Sequence, residues 1–213
     1  MIKEICNGEN EIFPYIARVP SKMHDKIPLI LQLHGAGERG NGSDSEIKLV
    51  EKHGFSHVFT DDAEIDCVLV QPQCRVDSYW IAHIQEIKQF IEQMVKKYNI
   101  DEDRIYLTGL SMGGHGTWFT AAVFPNMFAA IAPVCGAGMP WMGRVLKMPI
   151  WAFHGSEDDI VLPSTSIDMI NILRKNGRKE DMKLTLTAGV GHNEWDVAYT
   201  EELLNWLLSY KRK

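Results

Sequence analysis

The stretch TGLSMGGHG, residues 108–116, sets four glycines around one serine. The residues before it, Arg104-Ile105-Tyr106-Leu107-Thr108, are apolar and β-branched enough to read as a buried strand. Residues 117–124 after it read as a helix that ends near Pro125. The serine therefore sits at a glycine-lined joint between strand and helix, where a hydroxyl is displayed and everything around it is kept small.

Strand-like apolar runs and helical patterns alternate on either side of that joint. The strand candidates are 12–19, 29–33, 67–71, 104–108, 129–134, 150–153 and 183–187. Between them, 81–98 places Ile84, Ile87, Phe90, Ile91, Met94 and Val95 at steps of three and four, one apolar face of a helix. Pro163 can open a second helix that stops near Gly177, and 197–210 reads as a last one. Short continuous apolar strands separated by helices predict a mostly parallel central sheet with helices on both faces, an α/β architecture. In such sheets the working residues lie at the carboxyl ends of the strands.

Those ends carry chemistry. After 29–33 comes His34-Gly35-Ala36-Gly37-Glu38-Arg39-Gly40, after the central strand Ser111, after 150–153 His154-Gly155-Ser156-Glu157-Asp158-Asp159, and after 183–187 the loop that holds His192. Serine, acid and histidine follow in that chain order, each where a parallel sheet would bring them together. Here the chain resembles the α/β-hydrolase superfamily: Gly109-Leu110-Ser111-Met112-Gly113 matches its G-x-S-x-G elbow, and the residue order is also its order. The resemblance runs from about Leu29 onward and implies the α/β-hydrolase fold with no large lid domain, residues 1–213 forming one domain.

It also implies roles. Ser111 would attack a carbonyl once His192 takes its proton. The acid would hold the imidazole tautomer. Related small esterases read H-G-x-x-D followed by one residue and an apolar pair, so aligning His154-Gly155 and Ile160-Val161 puts the acid at Asp158, with Asp159 the alternative. The oxyanion donors would be the backbone N–H groups of Met112 and Ala36, with Gly37 as a second choice. His34 is expected to scaffold the oxyanion loop, and His115 to be a packing or surface residue.

The segments LHGAGERG, RIYLTGLSMGGHGTW, PVCGAG and FHGSEDDIV are similar to those of compact esterases in the carboxylesterase and polyhydroxybutyrate-depolymerase-like branch, which includes feruloyl and acetylxylan esterases of carbohydrate esterase family 1. This implies a serine carboxylesterase acting on a small-molecule or oligosaccharide ester, with a feruloyl ester the specific expectation. Trp80, Trp118, Trp141 and Trp195 are candidates for an aromatic wall, against the alternative that they pack the core. Arg39 is a candidate contact for a polar substrate, and Glu38 and Arg39 are expected to pair or to shape their loop. An acyl thioesterase or lysophospholipase is the alternative within the enzyme class. A non-catalytic binding protein on a hydrolase scaffold is the alternative outside it.

Composition narrows the partners. A net charge of -6 disfavours nucleic acid, and no apolar run approaches the roughly 18 residues of a membrane span. Glu4, Glu9 and Glu11 in an N-terminus without an apolar core do not read as a signal peptide, so the expectation is a cytoplasmic protein, or a periplasmic or secreted one if a leader was removed. Cys6, Cys67, Cys74 and Cys135 lack CxxC spacing, which predicts reduced, mostly buried thiols and no metal site. No cofactor is implied, since a serine, a base and an acid supply both nucleophile and proton transfer.

Overall fold

The protein is described by a computed structural model covering residues 1–8, 11–178 and 181–212. Its strands are β1 (Ile2–Cys6), β2 (Tyr15–Val19), β3 (Ile27–Leu33), β4 (Val68–Pro72), β5 (Ile100–Leu110), β6 (Ala130–Val134), β7 (Ile150–Gly155) and β8 (Met182–Thr187). They form one sheet in the order β1-β2-β4-β3-β5-β6-β7-β8. The pairs β1/β2 and β2/β4 are antiparallel, and every pair from β4 through β8 is parallel. The sheet is therefore the mostly parallel one expected.

Strands β3, β4, β6 and β7 are buried along their whole length, which is why they read as unbroken apolar runs. Helices α1 (Ile84–Tyr98), α2 (Met112–Val123) and α3 (Ser164–Lys175) cover one face, and α5 (Glu201–Leu208) covers the other with α4 (Trp195–Ala198) and the 3-10 turn Gly54–His57. Side chains along β5 alternate between the two cores, Ile105 and Leu107 to one and Tyr106 and Leu110 to the other. In α1 the buried residues Ile87, Phe90, Ile91 and Met94 are those of the apolar stripe read from the sequence. No helix among the described residues is long and apolar enough to cross a membrane.

Four elements depart from the sequence reading. Strand β1 was not foreseen: IKEIC pairs only with β2 and leaves Ile2 and Ile5 exposed, so it lacks the buried run that marks the other strands. The α-helix expected over 81–98 starts at Ile84, and Trp80–His83 precede it as a 3-10 turn. Helix α2 begins at Met112 rather than 117, through Gly113, Gly114 and Gly116. Each helical glycine costs about 1 kcal/mol against alanine, and only the close packing described below keeps that turn helical. The single helix expected over 197–210 is two, broken at Tyr199 and Thr200, where the Thr200 hydroxyl accepts the Leu203 N–H and starts α5.

The core over α1 is an aromatic cluster in which Phe90 meets Phe13 and Tyr15 edge-on, with centroids 5.5 and 5.2 Å away. Phe13 in turn meets Trp80 at 5.5 Å. Phe90→Ala removes the ring that holds β2 and α1 together and is expected to cost about 3–5 kcal/mol. The shift of the urea midpoint checks this; a loss under about 1 kcal/mol would mean that the cluster does not act as one packed unit.

Candidate active site

Five strand ends meet along the carboxyl edge of the sheet, in the order β3, β5, β6, β7 and β8. Ser111 follows β5 with φ 51° and ψ −114°, a left-handed conformation rare for a residue with a side chain. Its N–H donates to the Val134 carbonyl at 3.0 Å and its carbonyl accepts the His115 N–H at 3.0 Å, so the strained residue is fixed from both sides. A methyl group on Gly113 would lie 2.0 Å from the Leu33 carbonyl oxygen, and one on Gly109 would lie 2.4 Å from that of Gly113. One on Gly114 would lie 2.5 Å from the Val134 oxygen. These distances leave no space for a side chain, which explains the glycines around the serine.

The Ser111 hydroxyl donates to His192 Nε2 at 2.8 Å, and His192 Nδ1–H donates to Asp158 Oδ2 at 2.8 Å. The two contacts fix the tautomer, with the proton on Nδ1 and a lone pair on Nε2 facing the serine. The structure thus brings Ser111, His192 and Asp158 together. Asp158 is buried, its Oδ1 accepts the N–H groups of Ile160 and Val161 at 2.9 Å each, and His154 Nε2 lies 3.2 Å from Oδ2. Burial alone would push this carboxyl up, but the hydrogen bonds from His192, Val161 and Ile160 outweigh it and hold it below the usual carboxylate value. Asp159 is exposed and takes no part.

The amides expected to serve as oxyanion donors both open a helical turn. Met112 is the first residue of α2, and Ala36 the first of a 3-10 turn, Ala36–Glu38. N–H groups in the first turn have no partner within their own helix. His34 is buried, accepts the Cys74 N–H on Nε2 at 2.9 Å and donates from Nδ1 to the Gly35 carbonyl, tying the start of this loop to β4. His115 accepts the Ala137 N–H at 2.6 Å and braces the loop after β6. Both histidines therefore have the structural places expected of them.

Cys135 follows β6 beneath the acid and the base, and its sulfur lies within 4.8 Å of ligand atoms of Asp158 and His192. The aspartate oxygens and the ring nitrogens are already engaged in the hydrogen bonds above, and burial pushes the thiol up, so it packs as an uncharged group. All four cysteines are free. Glu194, fully buried, accepts the Thr187 hydroxyl at 2.7 Å and is pushed up by burial.

The tryptophan expectation needs correction. Trp118 is a core residue whose indole N–H donates to the Gly136 carbonyl at 3.2 Å. Trp80 is also buried and donates to the His34 carbonyl at 2.9 Å, so only its edge reaches an apolar cavity of about 220 Å3. That cavity lies against Met112, His115, Phe119, Tyr79 and Ala137. Trp141 is 72% exposed on the 3-10 turn Pro140–Arg144 and does not line the cavity. Trp195 is half-buried and meets the His192 ring edge-on at 5.3 Å.

Arg39 does not pair with Glu38. It donates to the Ala36 and Ser78 carbonyls at 2.9 and 3.3 Å and lies over the Tyr79 ring, so it shapes its loop. The Glu38 carboxylate faces His53, which sequence reasoning did not single out.

Burial lowers the His34 pKa from 6.5 to about 4. His115 shifts in the same direction, again through burial. The unfolded chain takes up the His34 proton near pH 6.5 and the folded protein only near 4, so stability present above 6.5 falls by about 3 kcal/mol as the pH drops through that window. Urea midpoints at pH 7.5 and 4.5 check this. Equal midpoints would mean that His34 is not held neutral.

Residues 16–191 match the family model described as "Putative esterase". A bifunctional acetylxylan esterase/xylanase from Neocallimastix patriciarum is 33% identical over 150 residues, which is 67% of this chain and 21% of that protein. A feruloyl esterase B from Neurospora crassa is 28% identical over 56% of this chain and 44% of its own length. The chain thus spans from about a fifth to less than half of these relatives. The crystal structure of a thermostable esterase superposes with a TM-score of 0.80 at 29% identity, over 99% of this chain and 63% of that one. A feruloyl esterase module from Clostridium thermocellum, complexed with sinapinate, shares the fold with a TM-score of 0.68 at 15% identity, over 98% of this chain and 87% of that one. With a strand-to-helix elbow at Ser111 and a family match over most of its length, the chain belongs to the "Putative esterase" family and has the α/β-hydrolase fold of its esterase neighbours.

Proposed function

We propose that the protein hydrolyses carboxylic esters through an acyl-enzyme on Ser111, and that its substrates are acyl esters of carbohydrates. The observation that carries this reading is the continuous relay from the Ser111 hydroxyl through His192 to the Asp158 carboxylate, with both hydrogen bonds at 2.8 Å. Ser111 Oγ attacks the ester carbonyl as its proton passes to His192 Nε2. The carbonyl oxygen becomes an oxyanion, stabilised by the N–H groups of Met112 and Ala36. The intermediate collapses, the C–O bond to the alcohol breaks, and the proton on Nε2 moves to the departing oxygen. Water then repeats the sequence on the acyl-enzyme, with His192 again as base, and releases the acid. Asp158 stays ionised and balances the imidazolium at each stage.

The cavity beside Met112 supports a short or aromatic acyl group. Its volume of about 220 Å3 is below the roughly 300–1,000 Å3 of pockets for drug-sized ligands. That is room for one ring and its short linker, as in a feruloyl group, or for acetyl. The names carried by the relatives, acetylxylan and feruloyl esterase, agree with this choice of acyl groups.

Ser111→Ala is expected to lower kcat/KM by roughly 10⁴–10⁶-fold on methyl ferulate and p-nitrophenyl acetate, with the urea midpoint within about 1 kcal/mol of the parent. A variant that keeps more than about a tenth of the activity would contradict the assignment of the nucleophile. Hydrolysis of a palmitoyl thioester or a long-chain p-nitrophenyl ester in preference to both short esters would contradict the acyl-group assignment alone.

A further inference from the structure

Glu38 is 5% exposed, yet its carboxylate accepts no hydrogen bond from any described residue; the His53 ring faces it, with Nε2 3.8 Å from Oε1. The oxygens are not sealed from solvent, for the Glu38 side chain keeps 7% of its surface exposed, so the acceptor is open to a hydroxyl from outside. The carboxylate borders the nucleophile. A methyl group placed on Gly35 would lie 3.0 Å from Glu38 Oε2 and 3.7 Å from Ser111 Cβ, so the two side chains flank the same point.

Beyond His53 the wall continues with Trp195, whose ring lies 5.3 Å from His53 and 5.3 Å from His192. Glu38, His53, Trp195 and His192 therefore form a row that ends at the proposed base. Neither the His53 ring nor the Trp195 indole N–H makes a hydrogen bond with a described residue, which leaves donor groups on this row as well as the Glu38 acceptor.

The chemistry orients the row. The departing alcohol takes its proton from His192 Nε2, so its oxygen must lie next to that ring when the intermediate collapses. The apolar cavity is lined by Met112 and His115 and by none of Glu38, His53, Trp195 and His192, so it is separate from the row. We infer that Glu38, His53 and Trp195 form the subsite for the alcohol half of the ester, and that this alcohol is a sugar. Its hydroxyls donate to the Glu38 carboxylate and accept from the Trp195 and His53 N–H groups, while its C–H face packs on the indole. An alcohol without further hydroxyls makes none of these contacts, so its ester is cleaved with a higher KM than the sugar ester. This inference rests on the proposed ester hydrolysis.

The test uses two matched pairs of esters that share an acyl group and have unactivated alcohols, feruloyl arabinose with methyl ferulate, and acetylated xylobiose with methyl acetate. The parent protein is expected to favour the sugar ester in the pair it hydrolyses. Glu38→Gln, which keeps the shape and removes the charge, should lower the sugar-to-simple ratio of kcat/KM by about 10-fold or more, through KM. His53→Ala, at a more exposed position outside the oxyanion loop, should lower the same ratio. An unchanged ratio in both variants, or a parent with no preference for the sugar ester, overturns the subsite while ester hydrolysis stands. A parent that cleaves none of the four esters and whose Ser111 is not labelled by a fluorophosphonate overturns the hydrolase reading, and the subsite with it.

Discussion

At Ser111 the chain leaves β5 and enters α2 within one residue, and the rest of the site depends on that turn. The turn demands φ 51° from a residue with a side chain. Such a conformation persists only where the surroundings over-determine it. Here the Val134 carbonyl holds the serine N–H, and the first turn of α2 lies directly on the backbone of β3 and β6, at distances that exclude even a methyl group on Gly113 or Gly114. The same close approach brings the Met112 N–H, free at the start of its helix, next to the hydroxyl. One backbone constraint thus displays the Ser111 hydroxyl and sets a free helix N-terminal amide beside it.

The second constraint is electrostatic. Asp158 is buried beside two histidines, and an unpaired carboxylate there would be costly. Its two oxygens accept from two backbone amides and from His192, with His154 alongside. His154 is itself held in place, its Nε2 on the Val161 carbonyl at 2.7 Å and its Nδ1 on the Ser166 hydroxyl at 2.8 Å. The acid is thereby ionised and immobile. Its hydrogen bond to Nδ1 fixes the orientation of the His192 ring.

Much of this was legible in the chain. The buried strands announce themselves as apolar runs because both faces of the sheet are covered, and the glycines around Ser111 mark a place where backbones touch. Which of two adjacent aspartates meets His192 could be read because His154-Gly155 and Ile160-Val161 frame Asp158. What was hidden depends on contacts far apart in sequence. An exposed edge strand such as β1 has no apolar run to reveal it. The break at Thr200 is set by a cap within a segment whose apolar spacing continues on both sides. Four tryptophans near strand ends look alike in sequence, and only the packing separates buried Trp80 and Trp118 from half-buried Trp195 and exposed Trp141. Glu38 and His53 meet only because β3 and the segment before β4 converge on the same edge.

Two surfaces of different chemistry adjoin the elbow, an apolar cavity against Met112 and a row of Glu38, His53 and Trp195 that ends at His192. The central claim is that the acyl group passes through Ser111 on its way to water. Rapid-quench mixing with p-nitrophenyl acetate, followed by peptide mass mapping, tests it most directly. The account predicts a burst of p-nitrophenol and an acetyl group on the peptide that carries Ser111. Turnover with no acylated Ser111 at any quench time, or with the acetyl group on another residue, would contradict it.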